Sequence, residues 1–87
     1  QAALAEYDEA VRLEGEARDS IWGPLVSRGD LLSSLGRDDE AAADYGRAIE
    51  VMPARSFTYK RRAATLARLG RYDEAVADLE RSLELLP

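Results

Sequence analysis

Apolar and small residues recur at three- and four-residue intervals along almost the whole chain, and the pattern predicts helices throughout. In residues 2–13, Ala3, Leu4, Tyr7, Ala10 and Val11 fall on one helical face, while Asp8, Glu9 and Arg12 fall on the other. A second stripe of Leu25, Gly29, Leu32 and Leu35 predicts a helix over 24–35, with Pro24 in its first turn, Gly23 or Ser20 as cap, and Gly36 as a left-handed stop. Helices follow over 38–52, which Pro53 ends, over 57–69 with Ser56 as cap, and over 73–86. No segment alternates with the period of a strand, and Ala, Leu, Arg and Glu dominate, so the expected class is all-α with five helices.

The last four helices form two copies of one pattern. Residues 36–53, GRDDEAAADYGRAIEVMP, and 70–87, GRYDEAVADLERSLELLP, align at a spacing of 34 and share Gly36/Gly70, Asp39/Asp73, Glu40/Glu74, Ala41/Ala75, Asp44/Asp78 and Pro53/Pro87, among others. The first helix aligns with 41–51 at a spacing of 38, pairing Ala3 with Ala41, Tyr7 with Tyr45 and Ala10 with Ala48. The chain is therefore expected to open midway through a repeat. Residues 1–14 supply the second helix of a partial unit, 15–21 a longer loop that absorbs the extra four residues, and 22–55 and 56–87 two full units in a single domain.

Leu25, Gly29, Leu32, Gly36, Ala41, Tyr45, Ala48 and Pro53, then Tyr59, Ala63, Leu66, Gly70, Tyr72, Ala75, Leu79 and Pro87, resemble the signature of the tetratricopeptide repeat. The resemblance implies an α-solenoid of antiparallel helix pairs, in which small residues let paired helices approach closely. It also implies a concave groove, lined by the first helix of each pair, that receives a peptide. The groove-facing residues would be Val26, Asp30, Ser33 and Ser34 on one helix, and Phe57, Lys60, Arg61, Ala64, Ala67 and Arg68 on the other. Departures from the family pattern are Arg28 and Arg62 at usually apolar positions, Asp38 at an aromatic one, and Ser82 where Ala48 stands in the earlier copy. Each is expected to weaken packing slightly.

Composition narrows the function. Without Cys or His the chain has no thiol chemistry and lacks the usual zinc ligands, and its net charge of −5 opposes nonspecific attachment to nucleic acid or anionic membranes. No apolar run approaches the ~18 residues of a membrane span, and no charged-then-apolar leader opens the sequence. Beginning at Gln1 without Met, it is expected to be a fragment. Its compartment is undetermined, the cytoplasm being favoured.

Charge is also segregated. Six basic residues (Arg55, Lys60, Arg61, Arg62, Arg68, Arg71) and no acid lie in residues 55–72, which leaves −11 on the remainder of a chain whose total is −5. Lys60, Arg61 and Arg68 are assigned to recognition of carboxylates on a partner, with Phe57 as an apolar or cation-π platform. Arg62 and Arg71 are assigned to neutralising Asp38, Asp39, Asp44 or Asp73 across helix pairs. The acidic clusters at 8–9, 38–40 and 73–74 recur with the repeat and read as helix starts, so no catalytic, metal or cofactor site is expected. The tyrosines, spaced among Ala and Leu, read as core, and Trp22 is placed in the extended turn, covering the flank of the first helix. The functional expectation is a non-enzymatic scaffold that binds a protein or peptide, acidic in character. The alternative is a structural spacer or self-association element of a longer array, its end left uncapped at Leu83, Leu85 and Leu86.

Overall fold

The computed structural model describes Leu4 and residues 21–86 of the chain. Within them lie four helices, α1 (Trp22–Ser34), α2 (Asp38–Val51), α3 (Ser56–Arg68) and α4 (Tyr72–Leu85), and no strand. The expected helix over 1–14 and loop over 15–21 fall outside the described residues, except that Leu4 is helical and buried and Ile21 leads directly into α1. Helix α1 packs along α2 and α3 along α4, and a smaller α2–α3 interface joins the pairs into an all-α solenoid.

Both intra-pair turns are the same device. At the first, Gly36 takes φ +77°, Arg37 N–H donates to Leu32 O at 2.9 Å, and Gly36 N–H donates to Ser33 O at 3.0 Å. At the second, Gly70 takes φ +79°, with Arg71 donating to Leu66 O at 2.9 Å and Gly70 to Ala67 O at 3.0 Å. These 6→1 and 5→2 bonds close a left-handed helix end that any side chain would strain. Helix starts differ from expectation. Trp22 is the first residue of α1 rather than part of a turn, with Pro24 two residues further in, where an N–H still needs no helical partner. Ser56 is the first helical residue of α3 rather than its cap, and none of the four helices has a side-chain cap hydrogen bond. In α2 and α4 the first turn carries acids that complement the helix dipole, Asp38, Asp39 and Glu40, then Asp73 and Glu74.

One core cluster gathers Leu4, Leu25, Val26, Leu32, Ala41, Tyr45 and Ala48, and the other Ala42, Ala63, Leu66 and Ala75. Leu35 and Tyr72, read as inward-facing, are exposed, because Leu35 sits on the C-cap of α1 and Tyr72 on the outer face of α4. Ala67, expected to face a groove, instead packs against the second cluster. Close approach at Gly29 is confirmed: a Cβ there would lie 2.7 Å from Tyr45 Cε1. In the next unit the matching pair is Ala63 and Leu79, so a smaller partner accompanies the larger small residue.

The two arginines expected to weaken packing each hold a buried aspartate with two hydrogen bonds. Arg28 donates from Nε to Asp44 Oδ2 at 2.6 Å and from Nη2 to Asp44 Oδ1 at 2.7 Å. Arg62 repeats the arrangement with Asp78, both bonds at 2.7 Å. Asp44 and Asp78 are only 2% and 5% exposed, so each would be costly to bury without its fork of donors. The Arg62 guanidinium is held above its ordinary pKa, first by the hydrogen bonds to Asp78 and against the opposing pull of its own burial. Asp78, and not the acids named from the sequence, is thus its partner, while Arg71 pairs with Glu74 on its own helix at 2.6 Å.

Gly29→Ala is expected to lower stability by up to about 2 kcal/mol, because an overpacking cost of about 1 to 3 kcal/mol outweighs the helix-propensity gain of about 1 kcal/mol. Urea unfolding measures this, and a stabilised variant would show that Tyr45 yields freely.

Candidate protein-binding face

Helices α1 and α3 lie side by side, and between them opens a depression of about 410 Å³ floored by Tyr45 of α2. Six of the ten residues predicted for the groove line it, namely Asp30, Ser33 and Ser34 from α1 and Arg61, Ala64 and Arg68 from α3, together with Thr65. Lys60 and Phe57 are exposed on α3 outside this lining. Val26 is a correction: it is buried with Leu4 and Leu25 in the first core cluster and offers no surface to a partner.

The cations assigned to recognition already have partners. Arg61 Nη1 donates to both Asp30 oxygens at 2.8 Å, and Asp30 Oδ1 also accepts from the Tyr45 hydroxyl at 2.5 Å. Arg68 donates from Nε to Asp38 Oδ1 at 3.2 Å and from Nη2 to Ser33 Oγ. The Ser34 hydroxyl is turned onto its own helix, donating to Leu31 O at 2.8 Å. Side chains of Arg61 and Asp30 are 47% and 41% exposed, so their pair is solvated and contributes about 0 to 1 kcal/mol. Lys60 forms no hydrogen bond or ion pair with the described residues.

Aromatic rings extend the arrangement to the N-terminal end of the two helices. Trp22 and Phe57 meet edge to face with centroids 5.2 Å apart, the Arg61 guanidinium lies 5.2 Å over Phe57, and Arg55 lies 5.0 Å over Trp22. Arg61 is thereby oriented between a ring and a carboxylate. Sequence reasoning missed Trp22 and Tyr45 as members of this face. The sequence pattern points to a turn at Trp22 and to the core at Tyr45, where Tyr45 does lie, although its hydroxyl reaches the surface network. The available signal was that Trp22, Asp30, Tyr45, Phe57 and Arg61 all lack an equivalent 34 residues away.

Elsewhere, depressions of about 280 and 470 Å³ open over the Arg28–Asp44 pair, where Arg47 also donates to Asp44, and over the Arg62–Asp78 pair. Among the described residues no group of three acidic, His or Cys side chains is arranged to hold a metal ion, and no helix is long and apolar enough to cross a membrane.

Two tetratricopeptide repeat family models match the sequence, one over residues 24–55 and the other over 56–87. A comparison with the curated proteins found no match. Among solved structures, a crystal structure of MamA superposes with a TM-score of 0.86 at 26% identity, over 98% of this chain and 47% of that one. A second MamA structure, from AMB-1, gives a TM-score of 0.71 at 26% identity, over 95% of this chain and 51% of the other. The chain therefore spans about half the length of these matches.

Tyr45 provides a check on the geometry. Burial, reinforced by its hydrogen bond to anionic Asp30, raises its phenol above the ordinary value. A raised folded-state pKa contributes stability that is present below about pH 10, the ordinary phenol value, and lost as pH rises toward the folded-state pKa. The phenolate absorbance of wild type minus Tyr45→Phe is expected to show no step near pH 10 while the protein remains folded. A step there would place Tyr45 in water.

Proposed function

The chain belongs to the tetratricopeptide repeat family, and we propose that its α1–α3 face binds an extended protein segment carrying carboxylates. Protein–protein interaction is the general work of this family, and the acidic partner and the groove are the finer reading. The observation that carries it is the concentration of exposed cations on α3 of a chain with net charge −5: Lys60 and Arg61 side by side and Arg68 two turns later, the two arginines lining a depression with Ser33 and Asp30 on its far wall. Lys60 needs no rearrangement to meet a carboxylate. Arg61 is held by a solvated contact that a partner's acid replaces at low cost, and Arg68, itself half exposed, by a long 3.2 Å bond to the less exposed Asp38. Nothing in the arrangement pairs a nucleophile with a base, and the work assigned to these residues is recognition.

Binding of a fluorescein-labelled octapeptide of alternating Glu and Ala, read by anisotropy, tests this, with the Gln-for-Glu peptide as control. The Lys60→Glu, Arg61→Glu double variant is expected to lose about tenfold or more in affinity while circular dichroism shows unchanged helicity. Unchanged affinity would remove the α1–α3 face from consideration, as would equal binding of the two peptides.

A second reading, self-association, has its own observation. Tyr72, Val76, Leu79, Leu83 and Leu86 form an exposed stripe down α4, with Leu83 70% exposed. Their equivalents one repeat earlier include Ala42 and Tyr45, which are buried. Stacking of a second copy on this stripe predicts a sedimentation coefficient that rises with concentration, whereas a monomer throughout the series would contradict it.

A further inference from the structure

The Asp30–Tyr45–Arg61 network is absent from the following unit. One repeat later, Asp30 corresponds to Ala64 and Tyr45 to Leu79, and Arg61 itself corresponds to Ser27 one repeat earlier. The helix pairing therefore does not require an acid at position 30, since α3 and α4 pair without one. Nor does Asp30 use Arg61 as the structural aspartates use their arginines. Asp44 and Asp78 each take the Nε and Nη2 edge of a guanidinium, whereas Asp30 touches Arg61 only through Nη1, which is shared between its two oxygens. Arg61 makes no other hydrogen bond to the described residues, so its two-pronged edge is unused. That edge is the geometry in which a guanidinium binds a carboxylate most strongly.

We infer that Asp30 is a resident carboxylate on the binding face: an arriving acidic side chain takes the open edge of Arg61 and displaces Asp30, which stays on the Tyr45 hydroxyl and sets the affinity threshold of the site. This rests on the carboxylate-binding reading of the α1–α3 face. Displacement is inexpensive because both partners are solvated, and an exposed pair of this kind shifts an equilibrium by no more than about fivefold. Opposition is also electrostatic, since two carboxylates beside one guanidinium repel each other. Asp30 thereby discriminates among partners, admitting acidic segments able to reach Arg61 with both oxygens and disfavouring those that offer a single weak contact.

Asp30→Asn tests this with the same octapeptides. Asparagine keeps an oxygen for the Tyr45 hydroxyl and removes only the charge. The variant is expected to bind the Glu-Ala peptide roughly threefold to tenfold more tightly, with no gain for the Gln-Ala peptide and unchanged helicity. Equal or weaker binding would overturn the inference, showing that Asp30 presents Arg61 rather than competes for it; a gain shared by both peptides would overturn it too. The Lys60→Glu, Arg61→Glu variant separates this failure from that of the binding face. If it loses affinity while Asp30→Asn gains none, the face stands and the exchange falls, and if wild type and double variant bind alike, both fall.

Discussion

Each helix pair is tied by one aspartate that almost no water reaches and one arginine that reaches it from the neighbouring helix with two parallel bonds. A carboxylate at 2% or 5% exposure is tolerable only when its partner arrives in this geometry, so Arg28–Asp44 and Arg62–Asp78 restrict the register in which the helices of each pair can meet. The small residues then act within that register. Gly29 admits the Tyr45 ring, Ala41 and Ala48 lie fully buried beneath it, and Ala63 and Ala75 repeat the close approach in the next pair. The glycine turns at 36 and 70 allow the reversal, and the ion pairs limit where along each helix it settles. Ser82, where Ala48 stands one repeat earlier, has a buried hydroxyl with no hydrogen-bond partner among the described residues.

This assignment divides the basic stretch. Arg62 and Arg28 use their charge inside the fold, and Arg71 spends its own on Glu74 in the same turn. What remains at the surface of α3 is Lys60, Arg61 and Arg68, one unpaired with any described residue and two held by exchangeable contacts to α1 and to the start of α2. Phe57 and Trp22 steady the same edge by ring contact, so a partner meets cations whose positions are already restricted.

Repetition made the architecture legible in the sequence. Glycine turns, proline stops and alanine stripes are local requirements, and each appears twice in the same phase, which is why the pairs and their order could be read directly. The family resemblance put six of its groove candidates around the α1–α3 depression, and it missed at Val26 and Ala67, where one helical step decides between core and surface. Pairing was hardest to read. Arg28/Asp44 and Arg62/Asp78 recur at an identical offset of 16 residues in both units, a signal present in the sequence but masked by the habit of treating charged residues as solvated. Asp30 and Arg61 lie 31 residues apart on helices from different units, and no local pattern announces such a contact. Tyr45 shows the same limit, since a ring in the core and a hydroxyl on the surface network look identical in a one-letter code.

A double-mutant cycle on Arg62 and Asp78, with Arg62→Met, Asp78→Leu and both together, tests the central claim most directly. The account predicts that each single variant is less stable than the double, with a coupling energy of about 2 kcal/mol or more from urea unfolding, reduced from the fully buried case because Arg62 is 29% exposed. Additive effects with coupling near zero would contradict it, and would show that apolar packing alone sets how the helices pair.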